Sequence, residues 1–176
     1  PCFDWICDGR SWFDIFYEHV NYFRLSDFRK MFGSLLAIGH CFGGQYLYVI
    51  GDLSTLRQPE YDPEDPVVFP ENFTASLQDG AAASSKSDVV WGGASKGVIY
   101  ALLRERAGAP VEAVIDINRN KQGHFLAGTG LRVCAPDEVL PNLPRSSRIL
   151  VMNPNYCEEI RKISNDAFTY VEVGND

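Results

Sequence analysis

The chain of 176 residues lacks any long hydrophobic run. A membrane-spanning helix needs about 18 or more consecutive apolar residues, and no stretch of this sequence approaches that length. The first residues include neither a basic segment nor a start methionine, so they do not read as a secretory signal. These absences predict a cytoplasmic protein without a membrane partner. The missing methionine suggests a piece of a longer protein.

Positive charge is scarce as well. The chain has 16 Lys and Arg residues against 23 Asp and Glu residues, for a net charge of −7. This balance argues against a nucleic-acid partner, because phosphate contacts need a basic patch. The deficit lies in the first half: residues 1–87 hold 6 basic and 12 acidic residues, and residues 88–176 hold 10 and 11. We therefore expect an anionic small molecule to bind in the second half.

Cysteine is present but lacks the spacing of a functional site. The cysteines are odd in number and none lies in a C-x-x-C pair: Cys2, Cys7, Cys41, Cys134 and Cys157. A zinc or redox site needs tighter spacing, so we expect reduced, mostly buried thiols and no metal. With 45% hydrophobic residues, the chain can form a core, which excludes a disordered protein.

The aromatic-rich beginning of the chain contains signals for one helix and one hairpin. Ser26 is predicted as the N-cap of the helix, and Gly33 lies just past its end. Gly43 and Gly44 suit the turn of the hairpin, where positive φ is needed. The two predicted strands of the hairpin are residues 35–38 and 45–50.

Proline and acidic residues dominate the middle of the chain, and they favour neither helix nor sheet. From Gly80 to Ser87 the sequence becomes a tract of small residues, which is typical of a flexible link. We therefore predict three parts: residues 1–51, a linker at 52–87 and a C-terminal domain at 88–176.

The C-terminal domain alternates strands with helices. Its predicted strands are residues 88–91, 111–116, 131–134, 148–152 and 168–173. Its predicted helical segments are residues 98–106, 136–140 and 158–163. Such alternation is typical of βαβ units with right-handed crossovers. The sequence therefore predicts an α/β fold with a Rossmann-like, largely parallel sheet of about five strands.

A glycine-rich loop follows the first strand of this domain and opens a helix. In that position main-chain N–H groups can hold a phosphate, and ligands of such sheets bind beyond the carboxyl ends of the strands. The candidate binding residues of the loop are Gly92, Gly93, Ser95, Lys96 and Gly97. Their spacing matches neither the dinucleotide-binding fingerprint nor the P-loop. A tight turn with a solvated lysine therefore remains an alternative.

Polar residues also follow the second and fourth strands. Asp116 ends the second strand, where an acid can accept hydrogen bonds from ribose hydroxyls. An Asx turn or a cap for the loop is the alternative interpretation of this residue. The candidate substrate-binding residues of these two loops are Asp116, Asn118, Lys121 and Gly123, and then Asn153, Asn155 and Tyr156.

The first part of the chain contains a cluster of titratable and aromatic residues. Glu18 and His19 offer a carboxylate and an imidazole for proton transfer, and Tyr17 or Tyr22 could orient a substrate. We take Glu18, His19 and Tyr17 as candidate catalytic residues. Consecutive side chains do not share one face of a helix, so Glu18 is not automatically the partner of His19. A buried structural network among the aromatic residues is the alternative.

Two groups of motifs resemble known methyltransferases. The segment Tyr17-Glu18-His19-Val20-Asn21-Tyr22-Phe23, followed by a helix and a Gly-Gly hairpin, resembles the end of a class I S-adenosylmethionine-dependent methyltransferase domain. A second group resembles the C-terminal domain of the sugar C-methyltransferases, which act on nucleotide-linked deoxysugars. Its motifs are Val90-Trp91-Gly92-Gly93-Ala94-Ser95-Lys96-Gly97, Ile115-Asp116-Ile117-Asn118, Lys121-Gln122-Gly123, Gly128-Thr129-Gly130 and Asn153-Pro154-Asn155-Tyr156-Cys157-Glu158-Glu159-Ile160.

The resemblance implies S-adenosylmethionine as the cofactor and a nucleotide-linked sugar as the substrate. It implies that Glu18 and His19 act in proton abstraction from the sugar. Phe16 stands where the family has a tyrosine, and Tyr17 where it has a histidine, so methylation at carbon, oxygen or nitrogen stays open. In the family the cofactor loop lies upstream of these motifs. The chain is therefore expected to be a C-terminal fragment that needs its own N-terminal methyltransferase domain for activity.

The leading hypothesis is thus the C-terminal part of a methyltransferase, in which the Rossmann-like domain binds the nucleotide of the substrate. One alternative is a non-catalytic module that binds a nucleotide such as NAD through residues 92–97 and Asp116. Another is an assembly module that forms a homodimer.

Overall fold

The computed structural model describes residues 1–75 and 87–173. The chain forms two compact units, Pro1–Thr74 and Ala75–Asp176. Most of the predicted small-residue link, residues 80–86, lies outside the described residues. The predicted division into residues 1–51, 52–87 and 88–176 stays a prediction.

The first unit contains a two-stranded antiparallel sheet and two short helices. Helices α1 and α2 span Phe3–Asp8 and Leu25–Met31, and strands β1 and β2 span Leu35–Cys41 and Tyr46–Gly51. Three single turns of 3-10 helix, at Trp12–Asp14, Phe42–Gly44 and Leu53–Thr55, complete the unit. The predicted hairpin is confirmed: β1 pairs with β2, and Gly43 and Gly44 in its turn have φ of 64° and 98°.

Two expectations for this unit are wrong. The sequence predicted one helix before the hairpin, whereas α1 also forms; its N-cap, Cys2, makes no side-chain capping hydrogen bond, so the usual signal was missing. Ser26 is not the N-cap of α2, which begins at Leu25 with Arg24 as its N-cap. The reason is Asp27, whose carboxylate accepts the main-chain N–H of Arg24 at 2.7 Å and so satisfies the end of the helix.

The second unit is built on a five-stranded parallel sheet in the order β5-β4-β3-β6-β7. Its strands are β3 at Val89–Trp91, β4 at Ala113–Ile115, β5 at Val133–Cys134, β6 at Arg148–Val151 and β7 at Thr169–Glu172. Its helices are α3 at Ser95–Arg106, α4 at Pro136–Val139 and α5 at Cys157–Ile163. Short 3-10 turns lie at Leu140–Asn142 and Pro154–Tyr156. The predicted α/β fold with a parallel, Rossmann-like sheet is confirmed.

The differences from the predicted elements of this unit lie at their ends. Helix α3 begins at Ser95 instead of residue 98, so Lys96 and Gly97 belong to its first turn. Each strand is one to three residues shorter than its predicted range. Strands β3, β4 and β6 bury both faces, as parallel strands do. Their buried side chains include Val89, Val90, Val114, Ile115, Ile149 and Leu150.

All five cysteines are free thiols, as the sequence predicted. Cys2 and Cys157 are buried, while Cys7, Cys41 and Cys134 are partly exposed, so burial is less complete than expected. Burial raises the pKa of the Cys157 thiol above its ordinary value, which keeps the thiol protonated and unreactive.

Candidate functional site

The strand order places a crevice at the carboxyl edge of the five-stranded sheet. Strand β3 lies between β4 and β6. After β3 the chain forms β4 and β5 on one side of β3, and it then crosses back to form β6 and β7 on the other side. The loops that follow β3 and β6 therefore diverge, and a crevice at such a switch point is where open α/β sheets bind ligands. Gly92 follows β3 and Asn153 lies just after β6, so two of the predicted loops flank this crevice.

The turn between β3 and α3 depends on two glycines. Gly92 has a φ of 119°, a conformation that L side chains rarely adopt. At Gly97 a Cβ atom would collide with the carbonyl oxygen of Gly92, so only glycine lets α3 start this close to the strand. Ala94, the N-cap of α3, offers no side-chain acceptor for the first main-chain N–H groups of the helix. These N–H groups remain suited to an anion.

Lys96 reaches along the carboxyl edge of the sheet. Its Nζ donates a hydrogen bond to the main-chain carbonyl oxygen of Val173, which follows β7. Val173 in turn donates its main-chain N–H to Val151, the last residue of β6, at 2.9 Å. The ammonium group of Lys96 therefore lies on the β6 side of the crevice, while Ser95 beside it is exposed.

Asp116 is almost completely buried and is bonded to its own chain. Its Oδ2 accepts the main-chain N–H of Gly93 at 2.9 Å and the ammonium group of Lys121 at 3.1 Å. Its Oδ1 accepts the main-chain N–H of Asn118 at 2.8 Å, which is the Asx turn considered from the sequence. The structure thus brings together four of the predicted site residues, Gly93, Asp116, Asn118 and Lys121.

The loop after β4 is held by further main-chain bonds. The Gln122 side chain donates to the carbonyl oxygen of Asp116 at 2.9 Å, and the N–H of Gly123 donates to the carbonyl oxygen of Val133 at 2.8 Å. Gly123 has a φ of 82°, so the loop needs glycine there. Lys121 keeps 37% of its side chain exposed, so its charge is accessible from solvent despite the contact with Asp116.

The loop after β6 is more exposed. The Asn153 side chain accepts the main-chain N–H of Asn155 at 3.1 Å and caps the 3-10 turn that precedes α5. This local bond explains Asn153 without a ligand. Asn155 and Tyr156 are exposed beside it, so the structure leaves both of them accessible to a bound molecule.

In the first unit, His19 is fixed by a main-chain contact. Its Nδ1 lies 2.8 Å from the carbonyl oxygen of Asp14. A carbonyl oxygen only accepts hydrogen bonds, so Nδ1 carries the proton and the lone pair of the neutral ring is at Nε2. The Tyr22 hydroxyl donates to the same oxygen at 3.2 Å and accepts the main-chain N–H of Phe16 at 3.0 Å. The arrangement can accept a proton at Nε2.

The other two candidate catalytic residues of this unit do not contact that ring. Glu18 and Tyr17 are exposed, and no hydrogen bond joins Glu18 to His19 among the described residues. Tyr17 instead lies against Phe16, with ring centroids 4.2 Å apart. The structure therefore leaves Glu18 available for a substrate but does not pair it with the imidazole.

Sequence reasoning missed three partners of these residues. Gln45 donates a hydrogen bond at 3.0 Å to the carboxylate of Asp14, Lys121 pairs with Asp116, and Lys96 bonds to Val173. Gln45 and Val173 lie 31 and 77 positions from their partners, and Lys121 lies five positions from Asp116. None of these spacings is a recognised signal for a contact. Among the described residues no group of three His, Cys, Asp or Glu side chains could hold a metal ion.

Two cavities of about 420 Å³ lie away from all of these residues. One lies in the first unit and is lined by Lys30, Arg57, Gln58 and residues 60–63. The other lies between the α4 segment and the chain around Ser164 and Phe168. Neither cavity is lined by a predicted site residue.

Comparison with known proteins identifies no relative: no family model, no curated protein and no solved structure matches the chain. No helix among residues 1–75 and 87–173 has both the length and the apolar character needed to cross a lipid bilayer.

Proposed function

We propose that the chain is part of an S-adenosylmethionine-dependent methyltransferase that acts on a nucleotide-linked sugar, and that its second unit binds the nucleotide of that substrate. The observation that carries the proposal is the strand order β5-β4-β3-β6-β7, with a glycine turn at the switch point between β3 and β6. The motifs of the sequence that resemble sugar C-methyltransferases lie mostly at this carboxyl edge. Geometry and resemblance therefore indicate the same surface.

The chemistry of the edge suits a diphosphate. The first N–H groups of α3 have no side-chain cap, and α3 is 12 residues long, so its positive end is well developed. Lys96 lies on one side of the crevice and Lys121 on the other. The ammonium group of Lys96 and the net positive charge of the loop that carries Lys121 and Arg119 can attract the two charges of a bound diphosphate.

The first unit supplies a proton acceptor. His19 presents the lone pair of Nε2, because Nδ1 donates to the carbonyl oxygen of Asp14. In the proposed reaction this nitrogen takes the proton that leaves the methylated atom of the sugar. The exposed Tyr17 ring lies at the same segment and can contact the sugar.

S-adenosylmethionine would supply an electrophilic methyl group when bound. The described residues of the first unit contain no glycine turn between a parallel strand and a helix, so they do not fit the usual site of this cofactor. No cofactor contact is therefore assigned to these residues. The roles proposed here concern only the sugar and the nucleotide.

A module that binds NAD is the second candidate, since the strand order of the second unit matches the first five strands of the dinucleotide-binding fold. In such folds an acid at the end of the second strand accepts hydrogen bonds from ribose. Asp116 occupies that position, but its carboxylate is already bonded to Gly93, Asn118 and Lys121. This engagement favours the nucleotide-linked sugar over NAD.

The proposal is tested by thermal shift with dTDP, UDP, GDP, CDP, NAD and S-adenosylhomocysteine. A ligand at a hundred times its dissociation constant adds about 2.7 kcal/mol of stability, which raises the melting temperature measurably. We expect a shift with at least one nucleoside diphosphate. A shift with NAD alone would support the second candidate, and a shift with none of these compounds would contradict nucleotide binding by this chain.

Two lysine variants locate the binding site. Lys96→Met removes an ammonium group at the carboxyl edge and should weaken nucleoside diphosphate binding about tenfold, as expected for a charge-assisted hydrogen bond. Lys162→Met is the matched control, because Lys162 is exposed in the last turn of α5, at the opposite edge of the sheet. Equal effects of the two variants would indicate non-specific attraction of the anion.

A further inference from the structure

The carboxylate of Asp116 accepts hydrogen bonds from two different loops. The N–H of Gly93 reaches it at 2.9 Å from the turn after β3, and the N–H of Asn118 and the ammonium group of Lys121 reach it at 2.8 Å and 3.1 Å from the loop after β4. Asp116 is 7% exposed. Little of its hydrogen-bonding capacity therefore remains for the hydroxyl groups of a ligand.

We infer that Asp116 is a positioning residue, which joins the glycine turn to the loop at residues 117–123, and that the site binds nucleotides by their phosphates without reading the ribose 2′-hydroxyl. This inference rests on the proposed nucleotide binding and names what is recognised. It separates the site from dinucleotide-binding sites, in which the acid at this position contacts the ribose.

The contacts of the Asp116 carboxylate hold two loops in place. Gly93 belongs to the turn that precedes α3, and its N–H donates to Asp116. The loop after β4 has no helix of its own before β5 and is held in part by Asp116, through Asn118, Lys121 and the Gln122 side chain. Removing the carboxylate would therefore release both loops that border the carboxyl edge.

The charges of the loop point to an anionic group as the ligand. Asp116 and Lys121 neutralise each other at 3.1 Å. Arg119 is exposed in the same loop and has no acidic partner among the described residues, so the loop retains a net positive charge. A phosphate group is attracted by that positive charge, whereas an uncharged ribose hydroxyl is not.

Calorimetric titration of the full chain tests what is recognised. The probes are ADP, GDP, CDP and UDP, each with its 2′-deoxy counterpart. We expect the two members of every pair that binds to agree within about threefold, and Asp116→Asn to weaken both by the same factor. A preference of about tenfold or more for the ribonucleotide, which Asp116→Asn abolishes, would make Asp116 a ribose ligand and overturn the inference.

Amide hydrogen exchange tests the positioning role without any nucleotide. In Asp116→Ala the amides of Gly93 and Asn118 should exchange at least about tenfold faster than in the wild type, because each loses its acceptor. Asp137→Ala, which removes an exposed carboxylate of α4, is the matched control and should leave both amides unchanged. Unchanged exchange of Gly93 in Asp116→Ala would overturn the positioning role.

A second variant covers the case in which Asp116→Ala does not fold. Asp116→Asn keeps one acceptor oxygen, so exchange should accelerate at one of the two amides and remain slow at the other. If none of the diphosphates binds, the proposed function fails and phosphate recognition fails with it. The exchange data still decide the role of Asp116 in that case, because they need no ligand.

Discussion

Gly97 packs directly against the carbonyl group of Gly92, and a Cβ atom at position 97 would collide with that carbonyl oxygen. The first turn of α3 and the turn after β3 are thus in contact through their backbones. Since backbone atoms cannot move aside as a flexible side chain can, this contact sets how closely the helix approaches the sheet.

Gly97→Ala should therefore destabilise the protein by about 1–3 kcal/mol, the usual cost of overpacking a dense interior. Chemical denaturation of the wild type and the variant measures this difference. Gly93→Ala is the control from the same turn, because its Cβ would lie 3.4 Å from Val133 in ordinary van der Waals contact. Equal losses in the two variants would contradict the argument from close approach.

A buried ion pair lies at the amino edge of the sheet, and a substitution that removes its negative charge should lower the free energy of unfolding strongly. Asp88 and Arg104 lie 2.8 Å apart with both side chains fully buried, and the Nε of Arg148 also donates to Asp88 at 2.8 Å. Asp88→Asn removes the negative charge but leaves two guanidinium groups beside the amide. We expect a loss of about 3–5 kcal/mol of unfolding free energy, measured by denaturation.

The surface offers a matched control for this pair. Arg161 and Asp166 lie 2.6 Å apart with 39% and 68% of their side chains exposed. Asp166→Asn should cost no more than about 1 kcal/mol, because solvent screens an exposed pair. Similar losses in Asp88→Asn and Asp166→Asn would show that burial does not govern these interactions.

The pH dependence of stability should depend on Asp65. Its hydrogen bonds with Lys30 and Ser26, together with the nearby charge of Arg24, lower the pKa of this carboxyl from 3.8 to about 2. A lowered folded-state pKa stabilises the protein above the unfolded-state value of about 4, and this contribution disappears as the pH falls towards 2.

Asp65→Asn should accordingly lower the melting temperature at pH 7, and the gap to the wild type should close between about pH 4 and pH 2. Glu64→Gln, at the exposed neighbouring position, serves as the control and should show little difference at either pH. A gap in the Asp65 variant that persists unchanged at pH 2 would contradict the assigned ion pairs.

The ring of His19 should be found in a single neutral tautomer. Because Nδ1 lies 2.8 Å from the carbonyl oxygen of Asp14, nitrogen NMR of the neutral ring should show a protonated Nδ1 and an unprotonated Nε2. His124, which is exposed, provides the comparison within the same spectrum. Protonation of Nε2 in neutral His19 would remove the proton acceptor from the proposed site.

Most elements of the second unit could be predicted because their signals are local. The alternation of apolar runs with helical periodicity identified all five strands and the helical segments, and only their ends differed. In the first unit α1 was missed because its N-cap, Cys2, carries no capping signal, although Asp4 in the first turn favours a helix start. Ser26 was misassigned because the bond between Asp27 and the N–H of Arg24 places the helix start earlier.

The candidate site was predicted less completely than the fold. Glycine positions and the acid at the end of β4 follow from turn chemistry and strand periodicity. These local signals did not predict which groups donate hydrogen bonds to the Asp116 carboxylate. The contact between Gly93 and Asp116 spans 23 positions, and that between Lys96 and Val173 spans 77. Neither of these sequence separations belongs to a periodic pattern or to a known motif, so the sequence alone does not predict the contacts.

The sequence by itself determined the alternation of strands and helices, the glycine turns and the hairpin, because each depends on residues a few positions apart. Only the tertiary structure decided which strands are neighbours, that β3 lies between β4 and β6, and which groups fill the carboxylate of Asp116. Those relationships depend on how distant segments pack together. These contacts form because the shapes and charges of distant segments are complementary in the folded protein, and local sequence patterns do not predict that complementarity.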